Sequence, residues 1–130
     1  MTELLEILLS WAILFSPYGE APIPVLETKP HSFFVEHACG GKECNVLGWY
    51  NDTGVVYLDE NISENLHDEL LLHELVHYLQ DVNGDYDSES CEDSLKRERE
   101  AYLIQSRYMV EAVGRLPRPV NHNVSCNKYK

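Results

Sequence analysis

The segment of residues 70–80 reads LLLHELVHYLQ, and its pattern predicts a central buried helix. Apolar residues surround the polar ones on nearly every side of such a helix. Residues four apart lie one turn above each other on the same helix face, so His73 and His77 direct two imidazoles at one point. Burying two histidines and Glu74 in an apolar helix is costly unless a strong partner satisfies them.

The spacing of these three residues predicts a metal site that takes one zinc ion. Zinc accepts imidazole and carboxylate ligands and keeps its fourth position for water in catalytic sites. Glu74 lies beside His73, where its carboxylate can reach that water without binding the metal. This is the His-Glu-x-x-His arrangement of zinc peptidases. The alternative is a chance match, in which His73 and His77 are buried histidines bonded to backbone carbonyls.

The composition describes one acidic, globular domain. A chain of 130 residues is long enough for a single modest core, and its apolar fraction of 44% is typical of globular proteins. The net charge of −12 would repel phosphate backbones, so we do not expect a nucleic-acid partner. A peptide or protein substrate is the expected partner.

The chain contains an even number of cysteines: Cys39, Cys44, Cys91 and Cys126. Such a set in a small domain predicts two disulfides and therefore an extracytoplasmic location, periplasmic or secreted. Three pairings remain open, of which Cys39 with Cys44, and hence Cys91 with Cys126, is the simplest. The alternatives are reduced thiols in a cytosolic protein, or a zinc site with His37 that lacks a fourth ligand.

Residues 1–18 predict an amphipathic helix that packs on the core. Apolar residues recur there at helical spacing, at Leu4, Leu8, Trp11 and Phe15. The same stretch has the length of a signal-peptide apolar region, but Glu3 and Glu6 occupy the place of the expected positive charges. It is too short to span a bilayer.

The region before the motif predicts strands. Residues 46–50 and 55–59 are rich in β-branched and aromatic side chains, and the four residues between them predict a hairpin loop. Residues 25–28 and 33–36 are further candidate strands. Asn61 and Glu64 predict a capping box, so the metal helix would run from about Ile62 to Gln80. A strand edge beside the metal can align a peptide by main-chain hydrogen bonds.

A second helix is predicted to begin at Ser90, with Asp93 three residues later, and to end at Gly114. Residues 115–130 then read as an irregular tail, because Pro117 and Pro119 cannot continue the helix. The loop before this helix places acidic residues and one asparagine at calcium-loop positions: Asp81, Asn83, Asp85, Asp87, Glu89 and Glu92. Tyr86 stands where such a loop needs glycine, so we favour an acidic solvated loop over a Ca²⁺ site.

The second helix supplies two candidates for the third metal ligand, Glu98 and Glu100. Glu98 shares its face with Ala101, and this small side chain would let the two helices approach closely. Glu100 shares its face with Arg107, and a long cation is unfavourable near zinc. The spacing therefore favours Glu98, and the alternative is that both glutamates belong to a solvated charge run.

Three pieces in this order resemble the gluzincin clan of zinc metallopeptidases, especially its minimal single-domain members. They are the hairpin, the motif from His73 to His77, and the segment Glu98-Arg99-Glu100-Ala101. The resemblance covers roughly residues 46–110 and implies a small zincin-like α+β domain, with a short antiparallel sheet packed on the metal helix. It also implies peptide hydrolysis, with Glu98 as third ligand and Glu74 as general base. Tyr102 departs from the family pattern, in which Asp or Asn is common at that position.

The residue that would stabilise the oxyanion stays open among Tyr102, Tyr86 and His122. A different class of function stays open as well, a metal- and disulfide-stabilised binding module without turnover. Glu74 favours chemistry over this alternative, because structural zinc sites are usually closed by a fourth protein ligand.

Overall fold

A computed structural model describes residues 2–84 and 90–116 of the chain. Within these residues there are four α-helices and three strands. Their order is α1 (Thr2–Leu14), β1 (Val25–Lys29), α2 (His31–His37), β2 (Gly48–Tyr50), β3 (Val55–Asp59), α3 (Glu64–Asn83) and α4 (Cys91–Tyr108). A π-helical turn, Met109–Val113, follows α4 directly. The predicted α+β class is confirmed.

The three strands form one mixed sheet in the order β1, β3, β2. Strands β2 and β3 pair in antiparallel fashion with Trp49 opposite Tyr57, which confirms the predicted hairpin. Strand β1 adds a parallel pair, with Val25 opposite Val55. The order leaves β2 at one edge of the sheet, beside α3.

The prediction of a strand at residues 33–36 is wrong, because these residues belong to helix α2. The prediction relied on the aromatic and β-branched side chains, and that preference is easily overridden by packing. Pro30 caps the helix in an extended conformation. The helical turn buries Phe34 completely and lays the ring of Phe33 against the ring of Tyr57 on the sheet, with 4.8 Å between centroids.

Helix α3 forms the centre of the core and is covered by α1, α4 and the sheet. Its apolar side chains Leu71, Leu72, Leu75, Val76 and Leu79 are fully buried. The facing elements contribute Leu5, Leu8, Leu9, Ala12, Val56, Leu58, Ala101 and Ile104. Full burial of one leucine stabilises a fold by roughly 1.5–3 kcal/mol, so this cluster fixes where the polar residues of α3 lie.

The helix ends differ in part from the prediction. The capping box at Asn61 is wrong, since Ser63 is the N-cap of α3 and Asn61 donates its backbone N–H to Asp59 at 2.9 Å. At the start of α4, the predicted cap is confirmed, because the Ser90 hydroxyl accepts from the Asp93 N–H at 3.2 Å. Gly114 ends the helical region with a φ of 77°, as expected for a glycine C-cap.

The disulfide between Cys39 and Cys44 is confirmed. The predicted pair of Cys91 with Cys126 involves a residue outside the described ranges, as do Tyr86, His122 and most of the tail. Half of the candidate calcium-loop positions, Asp85, Asp87 and Glu89, also lie outside them. None of the helices that the structure describes is long and apolar enough to cross a membrane.

His31 links the disulfide-closed loop to the sheet. Its Nδ1 lies 2.9 Å from the Asp59 carboxylate, and its Nε2 lies 2.9 Å from the Cys44 carbonyl and 3.1 Å from the Glu43 carboxylate. All three partners are acceptors, so both ring nitrogens donate only when the imidazole is protonated. The hydrogen bond to Asp59, followed by that to Glu43, raises the pKa of His31 above its usual 6.5.

This link predicts a pH-dependent contribution to stability. Because the folded pKa of His31 is raised, its stabilisation is complete below the unfolded pKa of about 6.5. It is lost as the pH rises through the higher folded pKa. We therefore expect the difference in unfolding free energy between the wild type and His31→Gln to shrink between pH 6 and pH 9. Urea unfolding of both proteins across this range measures the difference, and a difference that grows with pH would contradict the assignment.

Candidate metal centre

Helices α3 and α4 bring His73, His77 and Glu98 together. The Glu98 carboxylate lies 2.5 Å from His77 Nε2 through one oxygen and 3.5 Å from His73 Nε2 through the other. One ligand atom from each residue falls within 4.8 Å of the others, so this group could hold a metal ion. The two histidines do lie one above the other on α3, with 4.9 Å between their ring centroids.

Each imidazole contacts a buried glutamine through Nδ1, the ring nitrogen that does not face Glu98. His73 Nδ1 lies 2.8 Å from the Gln105 side-chain oxygen, and His77 Nδ1 lies 2.8 Å from that of Gln80. An amide oxygen can only accept, so each Nδ1 carries the proton. Each Nε2 faces Glu98, and once deprotonated it offers the lone pair that a metal requires.

The glutamines are themselves fixed by carboxylates. Gln80 donates to Glu100 at 2.9 Å and to the Arg97 carbonyl at 3.0 Å, and Gln105 donates to Glu69 at 3.2 Å. Glu100 also accepts a hydrogen bond from the Tyr18 hydroxyl. The less favoured candidate, Glu100, therefore supports Gln80 and is not part of the three-residue group.

Sequence reasoning missed both glutamines as positioning residues. Gln105 lies seven residues after Glu98, on the same face of α4, and this spacing is a usable signal. Gln80 lies only three residues after His77, on the same side of α3. Tyr102 does not hold a histidine nitrogen; its ring lies 4.5 Å from the ring of His73, centroid to centroid.

Glu74 is buried beside the two histidines, under strand β2. Burial raises its pKa above the usual value, against the opposing effect of the charges on His77 and His73. The strand approaches so closely that a Cβ at Gly48 would lie 3.2 Å from the Glu74 side chain. A larger residue at this position would therefore press on Glu74, and the glycine leaves room for its side chain.

The two carboxylates at this centre differ in their electrostatics. Partial burial opposes the ionised form of Glu98, but hydrogen bonds from His73 and His77 outweigh it and lower its pKa. The pKa of His77 is raised, since Glu98 and Glu74 outweigh the effect of burial. Glu98 is thus the anionic member of the three-residue group, whereas Glu74 is the carboxyl group closer to accepting a proton at neutral pH.

The centre opens into a groove between the sheet and α4. Residues 45–50 form one wall, His73, Glu74 and His77 form the floor, and Ser94, Arg97, Glu98 and Tyr102 form the other wall. Burial, followed by the charges on Glu98 and Glu74, raises the pKa of Tyr102, so its hydroxyl stays protonated at neutral pH. The groove therefore offers a metal-binding group, a buried carboxyl and a hydroxyl donor to one bound molecule.

No family model, curated protein or solved structure matches this chain.

The choice between the two glutamates can be tested by metal affinity. We expect Glu98→Gln to weaken zinc binding by more than about a hundredfold, because loss of a ligand should exceed the 10- to 100-fold cost of losing an outer partner. Glu100→Gln is the matched control and should bind far more tightly than Glu98→Gln. Competition with a chelator gives both constants. Equal affinities for the two variants would reject Glu98 as the ligand.

The glutamines give a separate prediction. Gln80→Met and Gln105→Met keep the side-chain length but remove the amide oxygen that accepts from each Nδ1. We expect each to weaken zinc binding by roughly 10- to 100-fold, with all three ligands still present. The same competition titration measures this loss, and unchanged affinity in both variants would show that the amides do not orient the histidines.

Proposed function

We propose that this chain is a zinc-dependent metallopeptidase. The observation that carries the proposal is the convergence of His73, His77 and Glu98 on one point of an open groove, with Glu74 buried beside them. A purely structural site would more often enclose the ion with a fourth protein ligand. Among the described residues, only three ligand groups converge here.

The donor set fits zinc. Two imidazole nitrogens and one carboxylate oxygen are ligands that zinc takes in catalytic sites, and the Nδ1 protons leave both Nε2 atoms available. A zinc ion held by these residues would supply a Lewis acid that polarises a carbonyl group and acidifies a water molecule.

Glu74 would act as the general base and then as the general acid. Its carboxylate takes one proton from the attacking water and passes it to the amine that leaves when the peptide C–N bond breaks. Burial supports this role, because it raises the pKa of Glu74 toward the range in which a group both accepts and returns a proton. The close approach of Gly48 to the Glu74 side chain limits the directions in which the carboxylate can turn.

The walls of the groove support a peptide as substrate. Strand β2 pairs with β3 on one side, and in the described sheet its other edge has no neighbouring strand. Free main-chain groups at such an edge can pair with an extended peptide. Across the groove, Tyr102 presents a protonated hydroxyl, and we assign it the role of donor to the oxyanion.

An extracytoplasmic location belongs to the same proposal. The disulfide between Cys39 and Cys44 supports it, because such bonds persist mainly in oxidising compartments. The disulfide closes the loop that leads into residues 45–50, the wall of the groove.

Glu74→Gln tests the mechanism directly. The amide keeps the size of the side chain but cannot take the proton, so peptide cleavage should fall by about 10²- to 10⁴-fold. Zinc content should stay near that of the wild type, because Glu74 is not in the ligand group. Cleavage of a peptide mixture is followed by mass spectrometry, with zinc measured on the same samples. Cleavage by Glu74→Gln at the wild-type rate would reject this residue as the base.

A further inference from the structure

Arg97 is the only lysine or arginine among the described residues that line the groove. It precedes the ligand Glu98 on α4, and its side chain is 16% exposed. Apart from the two histidines, the other acid–base groups of the described lining are carboxyl and phenol groups, so this guanidinium is a permanent cation in an acidic surrounding. Its position makes it the group most able to select a substrate by charge.

The guanidinium is only weakly engaged by the protein. Its Nε lies 3.4 Å from the Gln80 side-chain oxygen, and its Nη2 lies 3.5 Å from the carboxylate of Asp52. Both distances are at the long limit for a hydrogen bond. Asp52 is 41% exposed in the hairpin loop, so this ion pair contributes little.

Several of the five guanidinium donors therefore remain for a ligand. Among the described residues, no acceptor lies within hydrogen-bond distance of Arg97 Nη1. No buried side-chain nitrogen or oxygen in the described part of the chain lacks a partner, so Nη1 must be reachable by solvent. A planar fork with free donors matches a carboxylate in a bidentate pair.

The guanidinium is linked to one of the two histidines, His77. Gln80 accepts from both Arg97 Nε and His77 Nδ1, so Arg97 is two hydrogen bonds from the His77 ring. The ring of Tyr102 lies against the other imidazole, that of His73. A substrate bound beside both histidines would therefore lie near a cation associated with His77 and an aromatic ring associated with His73.

We propose that Arg97 binds a carboxylate of the peptide substrate close to the bond that is cleaved. This inference rests on the proposed peptidase function and specifies its substrate class. The carboxylate belongs either to an Asp or Glu side chain or to the C-terminus of the peptide. The net charge of −12 is spread over the whole chain, and at physiological salt charges beyond about 8 Å are largely screened, so it does not outweigh a guanidinium in direct contact with the ligand.

The test measures peptide binding without turnover. The full chain with Glu74→Gln is loaded with zinc and equilibrated with three pools of short N-acetylated peptides of randomised sequence. One pool is amidated and lacks Asp and Glu, the second is amidated and contains them, and the third lacks them but ends in a free carboxylate. Bound peptide is separated by ultrafiltration and quantified by mass spectrometry.

We expect one carboxylate pool to bind about tenfold more tightly than the neutral pool, since a charged hydrogen-bonded pair contributes on that order. Adding Arg97→Gln should remove the preference. Asp52→Asn is the matched control and should retain or strengthen it, because it releases Arg97 from its weak partner. Preference for the second pool identifies a side-chain carboxylate, and preference for the third identifies the C-terminus.

Three results would overturn the proposal: equal binding of the pools, no binding of any pool, or a preference that survives Arg97→Gln. Melting temperature and zinc content are measured for every variant. If Arg97→Gln does not fold, Arg97→Lys takes its place and must weaken the preference, because lysine keeps the charge but loses the planar fork.

The peptidase function is scored separately with the zinc-loaded wild type and the same pools. A carboxylate preference without any new peptide terminus would support the Arg97 site and reject the peptidase. Cleavage at equal rates in all pools, without a binding preference, would reject the Arg97 site alone.

Discussion

The burial of two histidines in the apolar helix α3 is the constraint on which the rest of the structure depends. A buried polar group without a partner costs about 1–3 kcal/mol, and every buried side-chain nitrogen and oxygen in the described residues has one. Gln80 and Gln105 satisfy the Nδ1 atoms, and Glu98 faces the Nε2 atoms. These contacts tie α4 to α3 in the register that the structure shows.

This register distributes three glutamates of α3 and α4 among different tasks. Glu98 faces the histidines and its pKa is lowered, whereas Glu74 is buried against the sheet and its pKa is raised. Glu100, only two residues after Glu98, turns to the Gln80 amide and the Tyr18 hydroxyl. Chemically identical side chains thus receive different properties from their surroundings, which is the usual means of separating acid, base and ligand roles.

The small sheet forms one wall of the groove. Its edge strand β2 is fixed in place by contacts with several other parts of the chain. Strand β2 is paired with β3 in the hairpin, and Gly48 packs against Glu74. The segment that leads into it is closed by the Cys39–Cys44 disulfide and joined to the sheet through His31. A groove wall held in this way needs few residues, which fits a chain of 130.

The sequence by itself determined the features that depend on local spacing. The four-residue interval between His73 and His77, the hairpin around residues 51–54 and the Ser90 cap follow from the geometry of single helices and turns. The same rules favoured Glu98 over Glu100, because the face of a helix can be read from its period. They failed at residues 33–36, where packing of Phe34 into the core overrode a strand preference.

Only the tertiary structure decided which distant side chains meet. His73 and Gln105 are 32 residues apart, Tyr18 and Glu100 are 82 apart, and His31 and Asp59 are 28 apart. The parallel pairing of β1 with β3 is equally non-local. Such contacts depend on how the elements dock, and docking is fixed by the summed burial of many apolar side chains rather than by any one spacing.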